Sequence, residues 1–214
     1  MTGPRGFVQG EHICAIVETT EEQIALAADY LADGLRAGER VLYVGASESA
    51  LEEFREALGQ LGIDADEMVA RGALHQATNA EAHLAGGRFD SEEMMQMLND
   101  AIEAALHDGF AGLRTCGDMS WLLQEPDGFE QVATYEAMLN EFFERTRASG
   151  MCLYDSRRLP VHLVDTGLTT HSSVSIGGRH KSNPFYLRAP GPSTRGSAPL
   201  HVDLKLAHLR HRST

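Results

Sequence analysis

Polar side chains that could bind a ligand follow three short apolar segments, each of which is predicted to be a buried strand. Glu18 follows HICAIV, Asp118 comes shortly after LRTC, and Asp155 follows MCLY. Open parallel sheets bind ligands beyond the carboxyl ends of their strands. We therefore expect a binding site there, lined by the following residues: Glu18, Asp118, Ser120, Trp121, Asp155 and Arg157. The alternative is that these side chains are polar only because each strand reaches the surface there.

Two of these residues suggest specific chemistry. Asp118 stands where nucleoside triphosphatases place a metal-binding or catalytic acid, although an aspartate in that position caps a helix equally well. Trp121 is the only tryptophan of the chain. Its indole could line an apolar pocket and donate an N–H, or it could simply cover the core. The sequence leaves these alternatives open.

Soft metal ligands form a further candidate group. His12 and Cys14 are two residues apart on a predicted strand and so share one face, and Cys116 and Cys152 also lie on predicted strands. Buried cysteine is more often a small apolar residue, and the chain has neither a CxxC pair nor a zinc-finger spacing. We therefore predict reduced thiols, no metal and no cofactor. His171 lacks a nucleophile elbow or a triad partner, so no catalytic residue is assigned.

Alternating strand and helix patterns must position these residues. Apolar runs predict strands over residues 12–17, 41–44, 73–78, 113–116, 151–154 and 173–176. Helix starts are predicted at a capping box over residues 20–23, at Ser47 or Ser49, and at Asp90. A long helix is predicted over residues 129–148. The βαβ pattern indicates an α/β fold with three layers, α/β/α, and a mainly parallel central sheet.

Charge and hydropathy exclude several classes of protein. The chain carries 18 Lys and Arg against 31 Asp and Glu, and its net charge of −13 repels the phosphate backbone of nucleic acids. No apolar run reaches the roughly 18–20 residues that cross a bilayer, and residues 1–10 do not resemble a secretory signal. We therefore expect a cytoplasmic protein that binds neither membranes nor nucleic acid directly.

The composition changes near the end of the chain. Residues 189–199 are rich in proline, glycine and serine, which is typical of a flexible linker. Residues 201–212 are basic and could form a short helix or begin a further element. They could contact an acidic surface of a partner, but we expect them to be unstructured. We predict one domain over residues 1–187, followed by a linker and basic tail over residues 188–214.

Residues 34–44 and 58–64 resemble KaiC-type RecA-like ATPases, in the segment that leads from the helix after the phosphate loop to the second strand. The counterpart of that glycine-rich loop is residues 17–23, which contain three glutamates, no glycine and no lysine. A phosphate site needs close backbone approach and a cation. The resemblance therefore implies a RecA-like fold without a phosphate-binding loop. In RecA-like strand order, the strands carrying Cys14, Cys116 and Cys152 are neighbours at the centre of the sheet.

Eight ordered motifs extend the comparison over residues 10–186. They are GEHIC at 10–14, GLRAGERVLY at 34–43, GFAGLR at 109–114, GDMSW at 117–121, YEAMLN at 135–140, CLYD at 152–155, TH at 170–171 and NPFY at 183–186. Together they resemble the MEDS domain family, named for methanogen and methylotroph proteins and for the sensory domain of the dichloromethane regulator. The first motif adds His12 and Cys14 to the candidate ligand-binding residues. Two departures, at Val17 and Asp118, could alter ligand preference, because an aromatic residue and often a glutamate are expected there.

The MEDS resemblance implies a non-catalytic sensory or regulatory domain of prokaryotic signal transduction. Such domains are proposed to bind small organic molecules, such as simple hydrocarbon derivatives. The expected partner is a signalling module of the histidine-kinase, anti-sigma or DNA-binding type, which could make transcription the regulated process. Two alternatives stay open: a ligand-free protein-interaction adaptor, and a degenerate nucleotide-binding domain that hydrolyses nucleotide through Asp118.

Overall fold

A computed structural model describes residues 7–187, 205–206 and 209–210. The strands are β1 (His12–Val17), β2 (Arg40–Gly45), β3 (Leu74–Thr78), β4 (Leu113–Asp118), β5 (Ala148–Asp155), β6 (Ser173–Ile176) and β7 (Arg179–Ser182). The helices are α1 (Thr20–Arg36), α2 (Glu48–Gln60), α3 (Ala65–Ala70), α4 (Ser91–His107), α5 (Val132–Arg145) and α6 (Val161–Thr170). None of these described helices is both long enough and apolar enough to cross a bilayer.

The strands form one sheet with the order β3-β2-β4-β5-β1-β6-β7. All neighbouring pairs are parallel except β6 and β7, which form an antiparallel edge. The predicted mainly parallel sheet is confirmed. The strands carrying Cys116, Cys152 and Cys14 are β4, β5 and β1, which lie side by side at the centre as predicted.

Alternation along the central strands divides the core into two halves. In β1, Ile13 and Ala15 pack against α1 and α2, whereas Cys14 and Ile16 pack on the side covered by α4, α5 and α6. Because β1 is fully buried on both faces, it is a continuous apolar run except at His12. Helices on both faces of the sheet give the three-layer α/β/α architecture.

Side-chain caps fix where the helices begin. Asp90 accepts hydrogen bonds from the backbone N–H groups of Glu92 and Glu93 at 3.0 Å, and so starts α4 where predicted. The capping box predicted over residues 20–23 is wrong by one residue. Thr19, and not Thr20, is the N-cap of α1, and its hydroxyl accepts from Glu22 N at 3.1 Å.

Several elements differ from the sequence-based expectation. The helix predicted to reach residue 148 ends at Arg145, because β5 already begins at Ala148. Gly150 interrupts the apolar pattern, so the sequence does not show that β5 begins before residue 151. Glycine is required there because a Cβ would lie 2.4 Å from Phe143 Cζ. The helices α3 and α6 and the strand β7 were not predicted. Helix α6 is rich in β-branched residues and contains Gly167, so tertiary packing overrides its weak intrinsic helix propensity.

The predicted linker lies outside the described residues. Residues 205–206 and 209–210 are the described part of the predicted basic tail, and they are helical. Three of them, Lys205, Leu206 and Leu209, are buried against the domain. Lys205 Nζ lies 2.5 Å from Asp165 Oδ1 on α6. This part of the tail therefore packs onto the domain.

A buried ion pair ties α1 to the sheet. Arg114 of β4 donates from Nε to Glu39 Oε2 at 2.6 Å and from Nη1 to the Tyr30 carbonyl at 3.2 Å. The side chains of Arg114 and Glu39 are each only 5% exposed. Gly34 makes room for them, since a Cβ there would lie 2.9 Å from Arg114 Cδ. The buried pair of Glu39 and Arg114 thus depends on the absence of a side chain at Gly34.

Replacing Glu39 by glutamine should therefore be strongly destabilising. Breaking a buried pair leaves an uncompensated charge and costs about 3–5 kcal/mol. Urea unfolding followed by circular dichroism measures the loss. The control is Asp66→Asn, which breaks the exposed Arg55–Asp66 pair and should change stability little. Equal losses in the two variants would contradict the role given to the buried pair.

Candidate functional site

Asp118 is held at the carboxyl edge of the sheet by uncharged donors. Its Oδ1 accepts from Ser120 N at 2.8 Å and from Asn79 Nδ2 at 3.2 Å, and also from the Ser120 hydroxyl. Gln23 of α1 donates its side-chain amide to Oδ2. The side chain is buried, and both carboxylate oxygens are already engaged inside the protein. A metal ion at Asp118 would compete with these four hydrogen bonds for the carboxylate oxygens.

The connection between β1 and α1 is too short and too well satisfied to hold a phosphate. Only Glu18 and Thr19 separate the two elements. Glu22 reaches back so that its Oε2 accepts from Glu18 N at 2.9 Å, while Thr19 caps the helix. Two of the N–H groups around this helix start, those of Glu18 and Glu22, are therefore occupied by the chain's own side chains. This connection is not a phosphate-binding loop, as the sequence predicts.

Glu18, Asp155 and Arg157 lie together beside that connection. Asp155 Oδ1 accepts from the backbone N–H groups of Arg157 and Arg158 at 2.9 and 3.2 Å, which caps the turn after β5. Arg157 Nη2 lies 2.9 Å from Glu18 Oε2, and Glu18 also pairs with Arg210. These ion pairs are solvent-exposed, so they add little to stability and leave Arg157 accessible to a ligand or partner.

Trp121 is buried behind a histidine. Its indole stacks on His83, with ring centroids 5.1 Å apart, and on Phe89, at 4.9 Å. Its Nε1 has no hydrogen-bond partner among the described residues. His83 Nδ1 lies 2.9 Å from Asn79 Oδ1, and burial lowers the pKa of His83 to about 4. His83 therefore connects Trp121 and, through Asn79, the Asp118 carboxylate.

His83 also lines a cavity between the sheet and α4. The outer part, of about 240 Å³, has exposed charged residues at its mouth, namely Glu81, Arg88 and Glu93. The inner part, of about 40 Å³, adjoins it through four shared lining residues: Leu42, His83, Met94 and Met97. The inner part extends beneath α5 as far as Glu136 and Cys152. Two adjoining, mainly apolar cavities thus lie between the surface and a buried carboxyl and thiol, which line the inner one.

At the inner end, Glu136 and Cys152 meet two histidines. Glu136 Oε2 lies 3.3 Å from His12 Nε2 and 3.3 Å from His171 Nε2, and Cys152 Sγ lies 3.6 Å from His12 Nε2. One ligating atom from each of the four residues lies within 4.8 Å of all the others. We call these four residues the His/Glu/Cys cluster; its members are the described residues placed to hold a metal.

Burial sets the proton chemistry of the His/Glu/Cys cluster. It lowers the pKa of both His12 and His171 to about 3, so these imidazoles are neutral near pH 7. It raises the pKa of Glu136, against the opposing influence of His171 and of the Tyr154 hydroxyl, which donates to Oε1 at 3.1 Å. Burial likewise raises the pKa of the Cys152 thiol.

The eight predicted site residues do not form one group. Glu18, Asp155 and Arg157 lie together at the carboxyl edge, where Asp118 and Ser120 are bonded to each other. Trp121 is buried against His83 and Phe89, and His12 and Cys14 lie on β1 facing α5 and α6. Of the possible soft ligands, only His12 and Cys152 come together. Cys116 faces the opposite side of the sheet, and Cys14 lies beside Cys152 but outside the cluster.

Sequence reasoning did not assign Glu136 or His171 to a site, although both lie within motifs of the family resemblance. Neither His83 nor the methionines of α4 were predicted to line a cavity. The spacing of the methionines fits an ordinary core helix equally well, so a single sequence cannot distinguish cavity-lining from core-packing methionines.

Comparison with solved structures supports the fold. A KaiC-like protein from the hyperthermophilic archaeon Pyrococcus horikoshii OT3 aligns with a TM-score of 0.54 at 14% identity, covering 79% of this chain and 71% of that one. The flagellar accessory protein FlaH from Methanocaldococcus jannaschii aligns with a TM-score of 0.57 at 18% identity, covering 88% of this chain and 84% of that one. At these identities the likeness concerns the fold alone, which is RecA-like.

Comparison with sequence families is more specific. No curated protein matches the chain significantly. The family model described as MEthanogen/methylotroph, DcmR Sensory domain matches residues 11–172. That range contains β1 to α6, the edge residues and the whole His/Glu/Cys cluster. The chain therefore belongs to the MEDS family of sensory domains.

Proposed function

We propose that this chain is a non-catalytic sensor that binds a small organic molecule in the cavity between the sheet and α4. The observation that carries the proposal is the pair of adjoining, mainly apolar cavities, the inner of which is lined by Glu136 and Cys152. Ligand sites are typically apolar cavities with a few polar groups that fix orientation. This cavity has that composition.

The size and lining of the cavity favour a molecule of few heavy atoms. Drug-sized ligands occupy roughly 300–1,000 Å³, whereas the outer and inner parts here have about 240 and 40 Å³. Met94 and Met97 contribute flexible, polarisable side chains that adapt to small apolar guests. A second cavity, between α2 and α3, has about 560 Å³ but is an open groove rimmed by charged residues such as Arg55 and Asp66.

Contacts around His83 offer a route from the cavity to the carboxyl edge. His83 contacts Trp121 and Asn79, Asn79 bonds to Asp118, and Asp118 bonds to Gln23 in the first turn of α1. A ligand that displaces His83 would therefore favour one arrangement of the edge over another. Such a shift in the populations of the two arrangements is sufficient to alter a surface that a partner protein binds. The family resemblance supports a kinase, anti-sigma-type or DNA-binding module as that partner.

Two features support a role without nucleotide hydrolysis. Asp118 is saturated by neutral donors, and the start of α1 is capped by Thr19 and Glu22. Magnesium and a triphosphate would each have to displace bonds that the domain already makes. The bonds already made by Asp118 and at the start of α1 disfavour the degenerate nucleotide-binding alternative.

Small organic molecules should stabilise the folded domain. A ligand at about 100 times its Kd adds about 2.7 kcal/mol, which raises the melting temperature of a domain this size by roughly 5–10 °C. Differential scanning fluorimetry with short-chain halocarbons, alcohols and amines measures the shift. The absence of any shift across this panel would contradict the sensor and favour the ligand-free adaptor.

Two glycine-to-alanine variants should locate the ligand. A methyl group at Gly117 would lie 3.3 Å from His83 Cε1 and narrow the inner cavity, so Gly117→Ala should abolish or reduce the thermal shift. The control is Gly59→Ala on α2, which has open space around it and lines only the groove between α2 and α3. Loss of the shift in the control but not in Gly117→Ala would place the ligand in the groove instead.

Nucleotide should not bind. The saturated Asp118 and the capped helix start predict no saturable heat when the protein is titrated with ATP and magnesium at millimolar concentration. Isothermal titration calorimetry provides the measurement, and a small organic molecule from the thermal screen serves as the positive control. Saturable binding of the nucleotide would instead support the degenerate nucleotide-binding domain.

A further inference from the structure

Four separate elements each bring one potential metal ligand to the inner end of the cavity. His12 is the first residue of β1, Glu136 lies on α5, Cys152 lies on β5 and His171 directly follows α6. Three of the four are completely or almost completely buried, and Cys152 is partly accessible. Such a concentration of ionisable groups in a core needs a physical explanation, because each group is costly to bury without a partner.

Hydrogen bonding fixes the tautomer of His171. Its Nδ1 lies 2.8 Å from the Gly167 carbonyl, which can only accept, so Nδ1 must carry the proton. In the neutral ring Nε2 then has a lone pair and no proton. This atom is buried without a hydrogen-bond partner among the described residues, and it lies 3.3 Å from Glu136 Oε2.

Hydrogen bonding fixes His12 in the same way. Asn140 donates from Nδ2 to the carbonyls of Glu136 and Thr170 at 3.0 and 2.6 Å, which identifies its Oδ1 as an acceptor. Since Oδ1 lies 3.3 Å from His12 Nδ1, that nitrogen is the donor. The lone pair of His12 Nε2 therefore also faces Glu136 Oε2, at 3.3 Å.

The carboxyl proton of Glu136 alone cannot satisfy both rings, because a proton on Oε2 can be donated to only one of them. The Cys152 thiol, whose Sγ lies 3.6 Å from His12 Nε2, is a weak donor to the other ring. A cation at the centre would bind both rings, the carboxylate and the thiolate at once, in place of these two protons.

Three of the six distances between the ligating atoms match tetrahedral coordination, and all six are within 4.8 Å. With Zn–N and Zn–O bonds of about 2.0–2.1 Å and Zn–S of about 2.3 Å, neighbouring ligand atoms lie about 3.3 Å apart, or about 3.6 Å when one is sulfur. The two nitrogen-to-oxygen distances are 3.3 Å, and the His12 Nε2 to Cys152 Sγ distance is 3.6 Å. The Cys152 Sγ to Glu136 Oε2 distance, 4.0 Å, needs only a small contraction.

We propose that His12, Glu136, Cys152 and His171 form a binding site for one divalent transition metal, with zinc as the best match. Two imidazoles, one thiolate and one carboxylate are borderline ligands that suit zinc rather than calcium or magnesium. The carboxylate and thiolate cancel the charge of the dication, so the buried site is neutral overall. Outer contacts orient the ligands, as is usual for metal sites: Asn140 for His12, Gly167 for His171 and Tyr154 for Glu136.

The proposal is independent of the small-molecule sensor proposed above. It rests on the His/Glu/Cys cluster alone, and its test uses only metal ions. Metal binding without ligand binding, or the reverse, is a distinct result for each proposal.

Cobalt substitution tests the site directly. The purified chain, stripped with a chelator and titrated with Co²⁺, should bind one equivalent. It should show the visible bands of tetrahedral cobalt and a thiolate-to-cobalt charge-transfer band in the near ultraviolet. Zinc should displace the cobalt, and elemental analysis should find one zinc per chain.

Two matched cysteine variants assign the thiolate. Cys152→Ser should lose the charge-transfer band and bind zinc more than about tenfold more weakly, since even outer contacts to a metal are worth that much. Cys116→Ser changes a buried thiol on the adjacent strand, on the opposite face of the sheet, and should keep both properties. Circular dichroism checks that each variant folds. If Cys152→Ser does not fold, the cobalt spectrum of the unaltered chain decides the proposal.

Two results would overturn the metal site. One is an unaltered, folded chain that binds neither zinc nor cobalt. The other is a charge-transfer band that survives Cys152→Ser and disappears in Cys116→Ser.

Discussion

The central strands are buried on both faces, so every polar side chain placed on them must find its partners inside the protein. Three such side chains on β1 and β4 do so in different ways. Arg114 is paired with a charge of opposite sign, and Asp118 is surrounded by neutral donors. His12 faces Glu136, Cys152 and His171. These three sets of contacts link the helices to the sheet and also form the buried polar sites of the domain.

The same constraint explains how a RecA-like frame exists here without a phosphate site. The first strand leads directly into a capped helix through two residues, and Glu22 supplies the anion that a helix start favours. The carboxyl edge is thereby closed by short-range bonds of the chain itself. Open space lies instead on the other face of the sheet, beneath α4, where Gly117 contributes no side chain. The accessible volume beneath α4 therefore lies away from the connection between β1 and α1, which corresponds to the phosphate loop of the RecA-like ATPases.

Much of the fold could be predicted because its determinants are local. Apolar runs located β1, β2, β4 and β6, and capping residues such as Asp90 located helix starts. The beginning of β5 and the whole of α6 could not be found locally, since Gly150 and Gly167 owe their places to Phe143 and Tyr154 from distant elements. The ends of the strands that precede Glu18, Asp118 and Asp155 are neighbours, because β1, β5 and β4 are adjacent in the parallel sheet. The His/Glu/Cys cluster could not be assembled from one sequence, because it joins positions 12, 136, 152 and 171 through the tertiary structure alone.

The position of the single tryptophan has an optical consequence. Trp121 stacks on His83, and His83 forms part of the cavity wall, so the indole is one ring away from any molecule bound there. Because the chain has no other tryptophan, its tryptophan fluorescence comes from one buried position. The emission of this residue therefore reports on events at the cavity wall, and the domain contains its own spectroscopic probe.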